Sequence, residues 1–198
     1  SVIHHGLDPE LYPPSFEPGH YVLHIGRFAC EKGTDIAIDA ARKAGVLLRL
    51  AGRCHPPDKD YYETEVLPRI ANGQGVELCG EANHGRKVQL LRGARALLCP
   101  IRWEEPFGLI AIEAMLCGTP VIGFGRGSFP EIIDENVTGF LVTDVDEMAE
   151  AIRRAARLDR RACAMHARKR FSAARMAEEY ETLFASLVGG MAASATKG

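Results

Sequence analysis

Six short apolar runs recur along this chain, at Tyr21–Ile25, Val46–Ala51, Val76–Cys79, Ala94–Cys99, Val121–Gly123 and in the stretch from Asn136 that ends at Val142. Segments of helical spacing separate them. Thr34 or Asp35 is placed to cap the first of these segments, whose apolar face is Ile36, Ala37, Ala40 and Ala41. Tyr61 to Ala71 forms a second helix, stopped by Asn72-Gly73, and His84 to Gly93 a third, with Val88, Leu90 and Leu91 inward. Short apolar strands alternating with helices and glycine turns predict an α/β protein with a doubly wound, parallel, six-stranded sheet. Ligands of such sheets sit beyond the carboxyl ends of the strands. The turns after the first and fourth runs are therefore the places to look for a site.

The fourth run delivers the most informative stretch, residues 99 to 123. Pro100 stops the strand and a polar loop follows. Pro106 falls where a first helical turn tolerates its missing N–H. Leu109, Ile112, Ala114 and Met115 continue at helical spacing, and Gly118 and Pro120 end the helix. Free amides of Phe107, Gly108 and Leu109 would face the loop mouth and attract an anion. Gly108 would let a ligand approach the backbone. Glu105 and Glu113 bracket that point. Two carboxylates beside an anion site suit a ligand that also carries hydroxyl donors. Spacing alone equally allows one loop glutamate and one surface glutamate.

The run Glu105-Pro-Phe-Gly-Leu-Ile-Ala-Ile-Glu113-Ala-Met, followed by Gly118-Thr-Pro-Val-Ile, resembles the signature of the retaining GT-B glycosyltransferases of family 4 (group 1 glycosyl transferases). In that family two glutamates separated by seven residues face the sugar nucleotide. The resemblance implies a Rossmann-like domain, the C-terminal, donor-binding half of a GT-B fold, closed by C-terminal helices. It implies that Glu113 accepts ribose hydroxyls and Glu105 holds hydroxyls of the donor sugar. In Gly26-Arg-Phe-Ala-Cys-Glu-Lys-Gly33 it puts Arg27 and Lys32 against the donor diphosphate, although by themselves both read as solvated surface cations. Catalysis then falls to Arg27, Lys32 and Glu105. Donor binding falls to Gly26, Arg27, Lys32, Gly52, Gly80, Glu105, Phe107, Gly108, Leu109 and Glu113. Family likeness adds Gly52 and Gly80 through the turns they occupy, without a diagnostic side chain. Ser128 and Glu131 have capping-box spacing, which explains them without a ligand.

Residues 1–20 are similar to the family's interdomain crossing, with His5 in place of the usual asparagine, and Pro9, Pro13, Pro14 and Pro18 mark an extended linker. The nucleotide-sugar domain is expected over 21–188. Its helices at Asp144–Leu158, Arg160–Lys169 and Ser172–Val188 are amphipathic, and the Gly/Ala/Ser-rich stretch 189–198 is expected to be a disordered tail. The expected reaction is glycosyl transfer from a nucleoside-diphosphate sugar, of hexosyltransferase type, in carbohydrate biosynthesis. The acceptor domain is expected elsewhere in a protein roughly twice this length, so the fragment alone binds donor without efficient turnover. A non-catalytic nucleotide-binding module, or an epimerase or phosphorylase of the same fold, is the competing reading. No Gly-x-Gly-x-x-Gly follows the first strand, which argues against dinucleotide oxidoreduction.

The formal net charge of −2 gives no reason to expect a nucleic-acid partner. No apolar run approaches the ~20 residues of a bilayer span. A cytoplasmic location is expected, with membrane contact at the inner face left to the missing domain. The six cysteines lack metal or disulfide spacing and read as reduced thiols. No carboxylate pair sits at metal-binding spacing, so neither metal nor cofactor is expected beyond the sugar nucleotide itself.

Overall fold

The computed structural model describes residues 2–195 and contains one six-stranded sheet in the order β3-β2-β1-β4-β5-β6. The strands are β1 Tyr21–Ile25, β2 Leu48–Ala51, β3 Val76–Gly80, β4 Ala94–Cys99, β5 Val121–Phe124 and β6 Gly139–Val142. Every pairing is parallel. This is the expected doubly wound order, and it reverses between β1 and β4.

Side chains alternate along each strand, so both faces must be covered. Leu23, Leu97, Cys99 and Val121 pack under α4 (His84–Gly93), α5 (Leu109–Leu116) and α8 (Arg160–Arg170). Val22, Leu50, Leu98 and Ile122 face the other way, under α1 (Thr34–Ala44) and α7 (Val145–Ala155). The amphipathic stripe through Met148, Ala149 and Ile152 is fully buried, as its spacing requires. Cys99, Cys117 and Cys163 are small core residues, and burial pushes each thiol up to about 12.

Several local expectations change in the folded chain. Thr34 and Asp35 do not cap α1. Gly33 is the N-cap, while Thr34 turns to His24 and Asp35 to Tyr61 and Arg102. The helix at 61–71 is interrupted: α2 (Lys59–Tyr61) passes through a π-helical turn, Tyr62–Val66, into α3 (Leu67–Ala71). Pro68 has no N–H to give and crowds the preceding turn, so the ladder widens just ahead of it. Ser128 makes no capping box either. Its backbone is helical, which directs the hydroxyl away from the following amides, and Glu131 reaches His4 instead, at 3.1 Å. Pro106 stays in the loop, three residues before α5 begins. The end of α5 agrees with the sequence: Gly118 and Thr119 donate back to Met115 and Ala114, both at 2.9 Å.

The proline-rich N-terminal segment is docked on this domain. Leu7 exchanges backbone hydrogen bonds with Phe171 and Ala173, Ser15 donates to Cys117, and Tyr12 is buried. α9 (Ala173–Ala195) runs on into the stretch read as a tail. Residues 196–198, and the side chains from 189 onward, lie outside the described residues.

Candidate functional site

The switch point in strand order places the turn after β1 beside the loop after β4. A cleft of about 340 Å³ opens there, with Gly26, Lys32, Glu105, Gly108, Leu109 and Glu113 among its lining. Six of the ten positions named from sequence thus meet in one place, although residues 26 and 113 lie far apart in the chain.

Lys32 comes from the β1–α1 turn, which Gly33 makes possible. Gly33 has φ +67, and a Cβ there would fall 2.1 Å from the Pro100 carbonyl oxygen. Only glycine lets the two loops touch so closely. Lys32 Nζ donates to Glu105 Oε2 at 2.8 Å, and Trp103 Nε1 donates to the same oxygen at 3.1 Å. The ammonium also lies 5.0 Å from the centre of the Trp103 ring. The Glu105 loop is laced to the next turn, where Gly127 donates to the Glu104 carboxylate and Ser128 to the Glu105 carbonyl.

Gly108 is the N-cap of α5, with φ +78. A Cβ would sit 2.5 Å from the buried Phe129 ring, so glycine is required here by packing beneath the cleft as well as by conformation. No side chain caps this helix, and its first residues, Leu109 and Ile110, line the cleft. One turn on, Glu113 is nearly buried. Tyr12 donates to its Oε1 at 2.9 Å and Lys87 donates to the same oxygen at 2.6 Å. Burial and the Glu113 carboxylate push the Tyr12 phenol well above its ordinary pKa, so it stays a donor.

The other four positions do not line the cleft. Arg27 turns outward to the Glu31 carboxylate and lies 3.5 Å from Asp58. Gly52 sits behind Gly26, where a Cβ would be 1.9 Å from the Gly26 carbonyl oxygen. Gly52 donates to Gly80 and Gly26 donates to Ala51, so these glycines lace neighbouring turns together. Phe107 packs among His4, His5 and Phe171, fastening the loop to the N-terminal segment.

Sequence reasoning missed Lys87, Tyr12 and His24. Lys87 carried a signal: it precedes Leu90 and Leu91 by three and four residues, which puts it on the buried face of α4. Tyr12 carried none, being an aromatic within a proline-rich stretch. His24 is buried in β1 at the cleft floor. Its Nδ1 donates to the Leu98 carbonyl at 3.0 Å, and Nε2 accepts from the Thr34 hydroxyl at 3.2 Å. Burial, aided by nearby Lys32, holds its pKa below 6.5 despite the Leu98 bond.

That displacement has a consequence for stability. Below about pH 6.5 the unfolded chain takes up a proton at His24 that the folded chain refuses. Unfolding free energy is expected to fall with pH from about 6.5 down to the folded pKa, by at most about 1.4 kcal/mol per pH unit for this one group. His166 is displaced in the same direction, so the readout is a difference. Denaturant titrations from pH 7 to 5 should give a steeper loss for wild type than for His24→Gln. Equal slopes would show that His24 protonates freely in the fold.

Among the described residues no cluster of three His, Cys, Asp or Glu could hold a metal ion. No described helix is long and apolar enough to cross a membrane.

The model of the family described as Glycosyl transferases group 1 matches residues 13–172. The chain is 30% identical, over 169 residues and 76% of its length, to D-inositol 3-phosphate glycosyltransferase of Mycobacterium tuberculosis H37Rv. Among solved structures, AviGT4, a glycosyltransferase involved in avilamycin A biosynthesis, is 28% identical with a TM-score of 0.79 over 96% of this chain. Anabaena Alr3699/HepE in complex with UDP is 25% identical with a TM-score of 0.83 over 94% of it. The same protein has also been solved with UDP-glucose. The chain spans 35% of the mycobacterial relative, and 58% and 57% of the two solved chains.

Proposed function

The chain belongs to the group 1 glycosyl transferases, and on that premise we propose that it is the donor-binding part of a retaining, family 4 hexosyltransferase. The observation that carries this reading is the pairing of two lysines with two glutamates across one cleft at the strand-order switch, beside an uncapped helix start. A nucleoside-diphosphate sugar carries both kinds of group these residues want, an anionic diphosphate and hydroxyl donors. The UDP complex of a neighbour of the same fold supports the choice.

Cleaving the bond to the anomeric carbon builds negative charge on the departing diphosphate. Lys32 and the amides of Leu109 and Ile110 would oppose that charge in a partly shielded cleft. The diphosphate displaces Glu105 from Lys32, and the released carboxylate accepts hydroxyls of the sugar. Glu113 accepts the ribose hydroxyls. Arg27 joins only by leaving Glu31 and Asp58, so we assign the diphosphate chiefly to Lys32. The chemistry needs no metal in this reading, because cations and amides neutralise the leaving group. Acceptor contacts, and any attachment to the cytoplasmic face of a membrane, lie in the rest of a longer protein. This part binds donor without efficient turnover.

Thermal unfolding with UDP, GDP, ADP and NAD, each with and without Mg²⁺, tests the proposal. One nucleoside diphosphate at a hundredfold excess over its Kd should add about 2.7 kcal/mol, independent of Mg²⁺. Stabilisation by NAD alone, or by none of the four, would overturn it.

A further inference from the structure

Glu113 is held in a way the family signature does not describe. Its carboxylate is about nine-tenths buried within α5, and a charge so placed needs partners. The two partners come from elsewhere in the chain: Tyr12 from the docked N-terminal segment and Lys87 from α4. Both donate to the same oxygen, Oε1. The other oxygen, Oε2, has no hydrogen-bond or ion-pair partner among the described residues. A carboxylate fixed through one oxygen by two donors has its plane set and its second oxygen free.

We infer that Tyr12 and Lys87 are positioning residues that turn Glu113 Oε2 toward the cleft, and that this pair sets the preference for a ribose carrying free 2′ and 3′ hydroxyls. The inference rests on the donor-binding reading above, with Glu113 as the ribose acceptor. Without Tyr12 and Lys87 the glutamate is free to rotate and loses its directed acceptor. The glycosyl and diphosphate contacts, made by Glu105, Lys32 and the start of α5, would be untouched.

The test compares the affinities of this chain for UDP, GDP and ADP with those for their 2′,3′-dideoxy counterparts, by calorimetry. Wild type is expected to bind at least one ribonucleotide about tenfold or more tightly than its dideoxy form. In Tyr12→Phe and Lys87→Met the ratio should fall to within about threefold, through loss of affinity for the ribonucleotide alone. Tyr12→Phe removes one hydroxyl and keeps the buried ring, so its fold is secure. Lys87→Arg keeps a donor and should restore most of the ratio. Variants that retain the wild-type ratio, or weaken both ligands equally, overturn the positioning role and leave the donor-binding reading standing. A wild type that binds none of the six, or both sugar forms alike, overturns the Glu113 assignment and this inference together.

Discussion

Replacing Arg160 with methionine is expected to destabilise the protein by about 3–5 kcal/mol, a large share of the ~5–15 kcal/mol that keeps a domain folded. Arg160 is buried at the start of α8 and has no carboxylate partner among the described residues. Its guanidinium donates instead to the carbonyls of Ser15, Ala94 and Arg92 at 2.9, 2.7 and 2.8 Å, and to the Thr119 hydroxyl at 3.0 Å. These acceptors belong to the N-terminal segment, the α4–β4 junction and the turn after α5. Methionine fills much of the volume but donates nothing, so several buried oxygens lose their partners at about 1–3 kcal/mol each, offset in part by entering water. Lysine keeps the charge but cannot span the same fork, and Arg160→Lys should recover less than half the loss. Urea unfolding measures the effect directly. A loss under about 1 kcal/mol would show that water replaces the guanidinium at little cost. These contacts lie at the amino ends of β4 and β5, whereas the cleft lies beyond the carboxyl ends of β1 and β4, so nucleotide affinity of the folded variant should be unchanged.

On the donor-binding reading proposed above, Lys32→Ala is expected to cost the complete protein about 10²–10³ in sugar-transfer rate, the scale seen when one preorganised group facing developing charge is removed. Among the described residues Lys32 and Lys87 are the two cations lining the cleft, and Lys87 is committed to Glu113. Alanine therefore leaves the departing diphosphate to the helix start alone. Stability should move by less than about 1 kcal/mol, because the Lys32–Glu105 pair is partly solvent-exposed and Trp103 still donates to Glu105. Steady-state transfer by the chain rejoined to the rest of its protein, alongside urea unfolding, separates the two effects. A transfer rate within threefold of wild type would remove Lys32 from the chemistry. A comparable fall in stability would assign it to the fold.

The alternation of strands and helices could be read directly, because each element is specified by residues close in sequence. Val22 and Leu23 point to opposite faces through the period of the strand, and Met148 and Ile152 to one face through the period of the helix. The Glu105–Glu113 loop and helix could be read for the same reason, since both residues belong to one local unit. Expectations failed where a side chain had a stronger distant partner than its local one. Thr34 left the cap of α1 for His24, and Glu131 left a capping box for His4. Pro68 was a local signal and should have marked the π-helical turn.

Hydrophobic period and turn chemistry act over a few residues, so the parallel α/β layout and the two loops that could form a site are written locally. Long-range packing selects which loops meet. β1 pairs with β4 across the switch in strand order, so Lys32 reaches Glu105. The same packing turns Arg27 away to Glu31 and brings Lys87 and Tyr12 together on Glu113. These choices depend on the steric fit and charge balance of segments dozens of residues apart, and no local pattern encodes them.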